Sequence, residues 1–170
     1  MAESSAREAI LRQVHCGKLL QLATQTAHGP RLCQVWYAAE PDGSRLFFIS
    51  RVDRHHSRDL EVDDRVAGAI VAMDLDGPGQ AIQGVTLTGA ARRAQSHEVA
   101  DVHAAYLAKW PRARANWPLD RVAAETSLVQ MYVVRVIEYV LFDEINFRGD
   151  PRQTWRLDDP PHGDRSRPIV

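Results

Sequence analysis

Leu46-Phe47-Phe48-Ile49-Ser50, then Asp53-Arg54-His55-His56-Ser57-Arg58-Asp59-Leu60, then Arg65-Val66-Ala67-Gly68-Ala69-Ile70, is the stretch whose reading decides the fold. It reads as a buried strand, a basic polar turn, a short helix and a second strand. Ser57 is suited to cap the helix, which is expected to run to about Asp63. Such a turn brings cationic side chains, a hydroxyl and free helix amides together, and that combination suits a phosphate.

Outward from this stretch, the chain alternates strands and turns. Ser5-Ala6-Arg7-Glu8 has the form of a capping box, and Ile10, Leu11 and Val14 supply a helical apolar stripe. Strands are expected over Lys18–Thr26, Arg31–Glu40 and Arg45–Ser50, separated by Ala27-His28-Gly29-Pro30 and Pro41-Asp42-Gly43-Ser44. These three strands form an antiparallel meander. Further strands are expected over Arg65–Met73 and Ala81–Ala94, the latter long enough to need a bend or bulge at Gly84 or Gly89. Ser96 is expected to cap a helix that runs to about Trp110, where Pro111 ends it. A second helical piece within Arg112–Thr126, a strand over Leu128–Phe142 and a last one at Thr154–Leu157 complete the order. Many strands in hairpin order with few helices indicate a mainly β, antiparallel barrel. The expected organisation is one domain over residues 1–157 and a mobile tail over Asp158–Val170.

Composition excludes several function classes. Lys and Arg number 21 against 22 Asp and Glu, so no global field favours nucleic acid or an anionic membrane. The basic cluster Arg51–Arg58 is too short for a duplex footprint. Cys16 and Cys33 form neither a disulfide framework nor a metal-ligand pattern. The N-terminus lacks the order of a signal peptide and no apolar run reaches membrane length, so a soluble, cytoplasmic protein is expected. No Gly-x-Gly-x-x-Gly follows a strand, and the P-loop, zincin and nucleophile-elbow motifs are missing.

Several residues stand out on their own chemistry. Gln34 lies on an otherwise apolar strand, where a buried amide needs hydrogen-bonding partners that a bound ligand could offer. Gln83 carries the same argument. Trp36, Phe47 and Phe48 read as core, since strand aromatics usually pack inward. His55-His56 reads either as an exposed turn or as a pair of ligands. Trp110 and Trp117 read as packing, and His103 as a core histidine.

In order and spacing, the chain from about Leu19 to Leu157 resembles the flavin-binding split-barrel family of the pyridoxamine 5′-phosphate oxidases. Leu22-Ala23-Thr24 and Val35-Trp36-Tyr37 are similar to its opening hairpin. Ile49-Ser50 matches a strand end that touches the flavin phosphate and ribityl chain. Arg54-His55-His56 falls where the oxidases carry Ser-Arg-Lys. Gln83-Gly84-Val85 falls near the Gln-Val beneath the flavin ring, with Gln83 one residue early. Trp155-Arg156-Leu157 looks like a C-terminal strand lent to the partner subunit. The resemblance implies an FMN site built from Gln34, Val35, Trp36, Ile49, Ser50, Arg54, His55, His56, Ser57, Gln83, Gly84 and Trp155. It further implies a homodimer with shared cofactor sites and a flavin-dependent oxidoreductase acting on a small molecule. No catalytic acid or base announces itself. The alternatives are a non-catalytic carrier or sensor holding FMN, a deazaflavin or haem, with His28, His55, His56 or His162 as axial ligand, and an interaction module with an empty cleft.

Overall fold

The computed structural model describes residues 2–74 and 76–157, so the expected C-terminal tail and His162 lie outside the described residues. Seven strands and four helices follow one another: α1 (Ala2–Cys16), β1 (Leu19–Thr26), β2 (Gly29–Ala39), β3 (Arg45–Arg51), α2 (His55–Val62), β4 (Arg65–Ile70) and β5 (Gln83–Arg93). A helical excursion comes next, made of α3 (Val99–Lys109), a 3₁₀ turn (Pro111–Ala115) and α4 (Leu119–Ala123), before β6 (Val129–Asp143) and β7 (Arg152–Arg156). All pairings are antiparallel, in the order β3-β2-β1-β4-β5-β6-β7, and β3 pairs with β6 as well. That extra pairing closes six strands into a ring. The fold is an antiparallel split barrel with peripheral helices.

Alternation explains why these residues make this barrel. On β1, Leu20 and Leu22 point inward and are fully buried, while Leu19 and Gln21 point out. The interior is filled by Leu20, Leu22, Tyr37, Leu46, Phe48, Val66, Val85, Tyr132, Val134 and Tyr139, with Ile10 and Val14 of α1 packed against them. A second cluster lies outside the ring. There Phe47, Met131 and Val133 meet Val99, Val102, Tyr106 and Val122 of the excursion. Because β6 is covered on both faces, residues 129–134 are all buried, and the one amide among them, Gln130, donates to Ala124 O and Ser127 O.

The excursion is anchored by two polar contacts. Trp110 Nε1 donates to Tyr37 O at 2.8 Å, and Lys109 Nζ donates to Gly17 O. Burial pushes the Lys109 ammonium down to about 8. His103 is buried, as its apolar helix face implies, and its Nε2 lies 2.8 Å from Trp117 O.

Several expectations are corrected. The first three helices begin earlier or later than their supposed caps: α1 starts at Ala2, before Ser5, and α2 at His55, with Arg54 as its cap residue. Ser57 is therefore the third residue of α2, not its cap. Glu98, not Ser96, precedes α3. β4 ends at Ile70 rather than Met73, and β5 begins at Gln83 rather than Ala81. Trp110 adopts a non-helical conformation before Pro111, the proline effect expected there, although Pro111 itself opens the 3₁₀ turn. The bulge lies in β6, where Ile137 is the extra residue opposite the step from Thr88 to Gly89, so β5 itself runs without an insertion and Gly84 keeps regular pairing with Phe142. A Cβ on Gly89 would stand 2.2 Å from Arg135 O, so only glycine lets β5 and β6 approach there.

Candidate functional site

The β2–β3 pairing runs from Ala39↔Leu46 beside the turn only as far as Tyr37↔Phe48, beyond which the two strands part. Beyond the last rung stand Gln34, Val35 and Trp36 on one side and Ile49 and Ser50 on the other. β3 turns its other edge to β6, and β2 keeps β1, so the inner edge of β2 is left without a strand partner. Main-chain donors and acceptors at such an edge are available to a ligand.

α2 stands at the end of β3. Its first-turn amides have no intrahelical acceptor, and that turn holds no acidic residue. Ser50 Oγ and His56 Nε2 are 2.7 Å apart, and Ser57 Oγ donates to Ser50 Oγ at 3.4 Å. Burial lowers the His56 pKa, with Asp59 opposing, and so favours the neutral imidazole. The buried Tyr132 hydroxyl, its pKa raised by that burial, also contacts Ser57 and Arg93. Arg54 and His55 are exposed beside this group. Asp59 fastens α2 to the opening hairpin: Thr24 Oγ1 donates to it at 2.8 Å, and Arg31 Nη1 lies 3.4 Å away. Burial, with Asp59 adding to it, pushes the nearby Cys33 thiol up to about 11, so it stays protonated.

The sequence-predicted residues thus fall into two groups. Gln34, Val35, Trp36, Ile49, Ser50, Arg54, His55, His56 and Ser57 surround the parted strands. Gln83, Gly84 and Trp155 do not join them. Ser50 pairs with Gln130 and Gln83 with Asp143, thirteen residues further along β6. Gly84 lies at an apolar groove with Ile70, Val71 and Phe142, and a Cβ built on it meets nothing closer than 3.6 Å. Gln83 Oε1 accepts from Gln13 Nε2 at 3.2 Å. Trp155 stacks on Tyr139 at 5.7 Å, and the Arg7 guanidinium covers its ring at 4.8 Å, so the ring is engaged within its own chain.

Two expectations about burial are corrected. Gln34 is exposed, because its neighbours Val35 and Tyr37 take the inward positions of β2. Trp36 is 52% exposed rather than core, for the same reason. Phe47 and Phe48 are core as expected. Sequence reading did not single out Thr24, Asp59, Arg93 or Tyr132 for the site. An Asp one turn beyond the basic residues of α2 was the available signal for Asp59. Arg93 and Tyr132 meet only through the β5–β6 register, which short-range patterns do not reveal.

A ring of antiparallel strands parted at one seam, with peripheral helices around it, defines the class of split barrels. The chain belongs to the pyridoxamine 5′-phosphate oxidase family, whose model matches residues 6–137. Among solved structures it is similar to a haem-binding protein from Mycobacterium smegmatis (25% identity, TM-score 0.67), matching 89% of this chain but only 57% of that one. It is also similar to an FAD-binding protein from Mesorhizobium loti (14% identity, TM-score 0.56; 76% of this chain, 88% of that one). A third likeness is to HutZ, a haem storage protein from Vibrio cholerae (20% identity, TM-score 0.54; 79% of this chain, 89% of that one). No curated protein matches in sequence. Among the described residues no helix is long and apolar enough to cross a membrane, and no cluster of three or more metal-ligating side chains occurs.

Proposed function

We infer that the chain binds FMN at the seam between β2 and β3 and acts as a flavin-dependent oxidoreductase on a small molecule. The observation that carries this reading is the gathering of Ser50, His56 and Ser57 at the start of α2, opposite the unpaired edge of β2. Hydroxyls, an imidazole and first-turn amides fit a phosphate, with Arg54 beside them to balance its charge. The free edge of β2 supplies donors and acceptors of the kind a flavin's pyrimidine edge requires. When bound, FMN supplies the hydride or electron transfer, and the protein contributes position and electrostatics.

The separation of the two residue groups supports a shared site. For one flavin to touch both the Ser50 cluster and Gly84, Gly84 must come from a second copy. The barrel offers a face for that copy. The row Gln34, Gln21, Ala69, Thr86, Val140, Thr154 crosses six of the seven strands in register without a charge. We therefore read the protein as a homodimer.

Haem is the second reading, favoured by the names of two structural neighbours and by exposed His28 and His55. The absorbance spectrum of freshly purified protein separates them: paired blue and near-ultraviolet bands for flavin, a Soret band for haem. Neither band would favour a deazaflavin or an empty site. FMN titration of the Arg54→Ala/His56→Ala double variant tests the phosphate site. A charge-assisted hydrogen bond contributes about 1.5–3 kcal/mol, so affinity should fall about tenfold or more. Unchanged affinity would place the phosphate elsewhere.

A further inference from the structure

The helical excursion builds a cleft of about 460 Å³ against the barrel, lined by Trp36, Tyr106, Trp110, Arg112, Asn116 and Trp117, with Pro111 and Ala113. Three of the chain's four tryptophans meet here. Trp36 and Trp110 are edge to face, with centroids 4.9 Å apart and planes at 81°, so their rings form a right-angled corner. The corner is held in place. Trp110 Nε1 is tied to Tyr37 O, and the Trp117 carbonyl to His103. Trp36 nevertheless stays more than half exposed, which a purely structural tryptophan avoids.

The charge around the cleft has one sign. No carboxylate lines it, and Arg112 stands exposed on its lip with no ion pair among the described residues. Lys109 Nζ lies 5.5 Å from the Trp110 ring behind it. A third flat ring would complete the box that Trp36 and Trp110 begin, since aromatic rings favour edge-to-face and offset stacking. A guanidinium matches a carboxylate with two parallel hydrogen bonds. The volume suits a one- or two-ring molecule.

We propose that this cleft binds a planar aromatic carboxylate, its ring in the Trp36–Trp110 corner and its carboxylate toward Arg112. Binding stands on the cleft alone. Its further role, presenting an aromatic substrate beside Gln34 and Val35, rests on the FMN reading above.

The test is calorimetric titration of the whole protein, without added cofactor, with 1-naphthoate, 1-naphthalenemethanol and cyclohexanecarboxylate. Naphthoate should bind and cyclohexanecarboxylate should not. Trp36→Ala should weaken naphthoate about tenfold, the scale of one lost aromatic contact. Arg112→Gln should weaken naphthoate about fivefold, the scale of a solvent-exposed ion pair, and leave the naphthalenemethanol affinity unchanged. Both residues are exposed, so both variants should fold, as circular dichroism will verify. No naphthoate binding at millimolar concentration, or the parent's affinity retained in either variant, overturns the proposal. So does dissociation of a dimer by naphthoate, which would mean that a second copy fills the cleft. A parallel FMN titration separates the two readings: FMN failing to bind while naphthoate behaves as expected overturns only the cofactor assignment.

Discussion

His56 is where this site answers to pH. Its imidazole is half-buried against Ser50 and Phe48, and burial lowers its pKa below that in the unfolded chain. Between the two values the unfolded chain binds more protons than the folded one. The contribution is therefore fully present above about pH 6.5, the ordinary histidine value, and is lost as pH falls toward the lowered one. Urea midpoints at pH 7.5 and 5.5 should drop further for the parent than for His56→Gln; equal drops would mean that His56 is not strained by burial. The same scale shows what a sequence can hide. Trp36 and Tyr37 are adjacent aromatics on a strand, and only one can face inward. Tyr37 takes the interior because its hydroxyl reaches Val14 O, a partner supplied by α1. Nothing local to Trp36-Tyr37 reveals that, so Trp36 read as core and its exposure emerged only from the fold.

Among the elements, β5 holds two glycines with opposite roles. At Gly89 the backbone of β6 leaves no room for a Cβ, whereas at Gly84 nothing in the chain needs its absence. Gly89→Ala should destabilise the fold by about 1–3 kcal/mol, the usual cost of forced overpacking, read by denaturant unfolding. Gly84→Val should fold as well as the parent yet purify without flavin, because the space it fills lies outside the chain. Retention of full flavin content by Gly84→Val would put the ring elsewhere. An irregularity beside Gly89 was legible, although its extra residue is Ile137 of β6 and not a residue of β5. Strand identities were legible too, since period-two alternation survives in β1 and β5. Helix starts were not. Ser5, Ser57 and Ser96 each resemble caps, but tertiary contacts set the boundaries: Ser57 is drawn into the helix with its hydroxyl facing Ser50.

At the scale of the molecule, the uncharged row through Gln21, Ala69 and Thr86 sets the expected assembly. An obligate dimer of this kind buries about 2,000 Å² or more in total. Thr86→Lys, exposed in the middle of that row, should turn a dimer into a monomer in sedimentation and lower FMN affinity together with it. A parent that sediments as a monomer at micromolar concentration would refute the shared-site reading.

The barrel also has a keystone. β6 alone holds β3, β5 and β7, and its pairings Arg51↔Val129 and Arg45↔Arg135 join residues 78 and 90 positions apart. During synthesis, β1 to β5 can form only an open sheet, with β3 and β5 presenting bare edges, until β6 has left the ribosome. Loop closure over such spans is slow, and unpaired strand edges invite pairing with other chains. The nascent chain is thus most prone to aggregate in the interval between translation of Arg93 and of Asp143. The helical excursion, with its apolar face not yet covered by β6, is made within that interval.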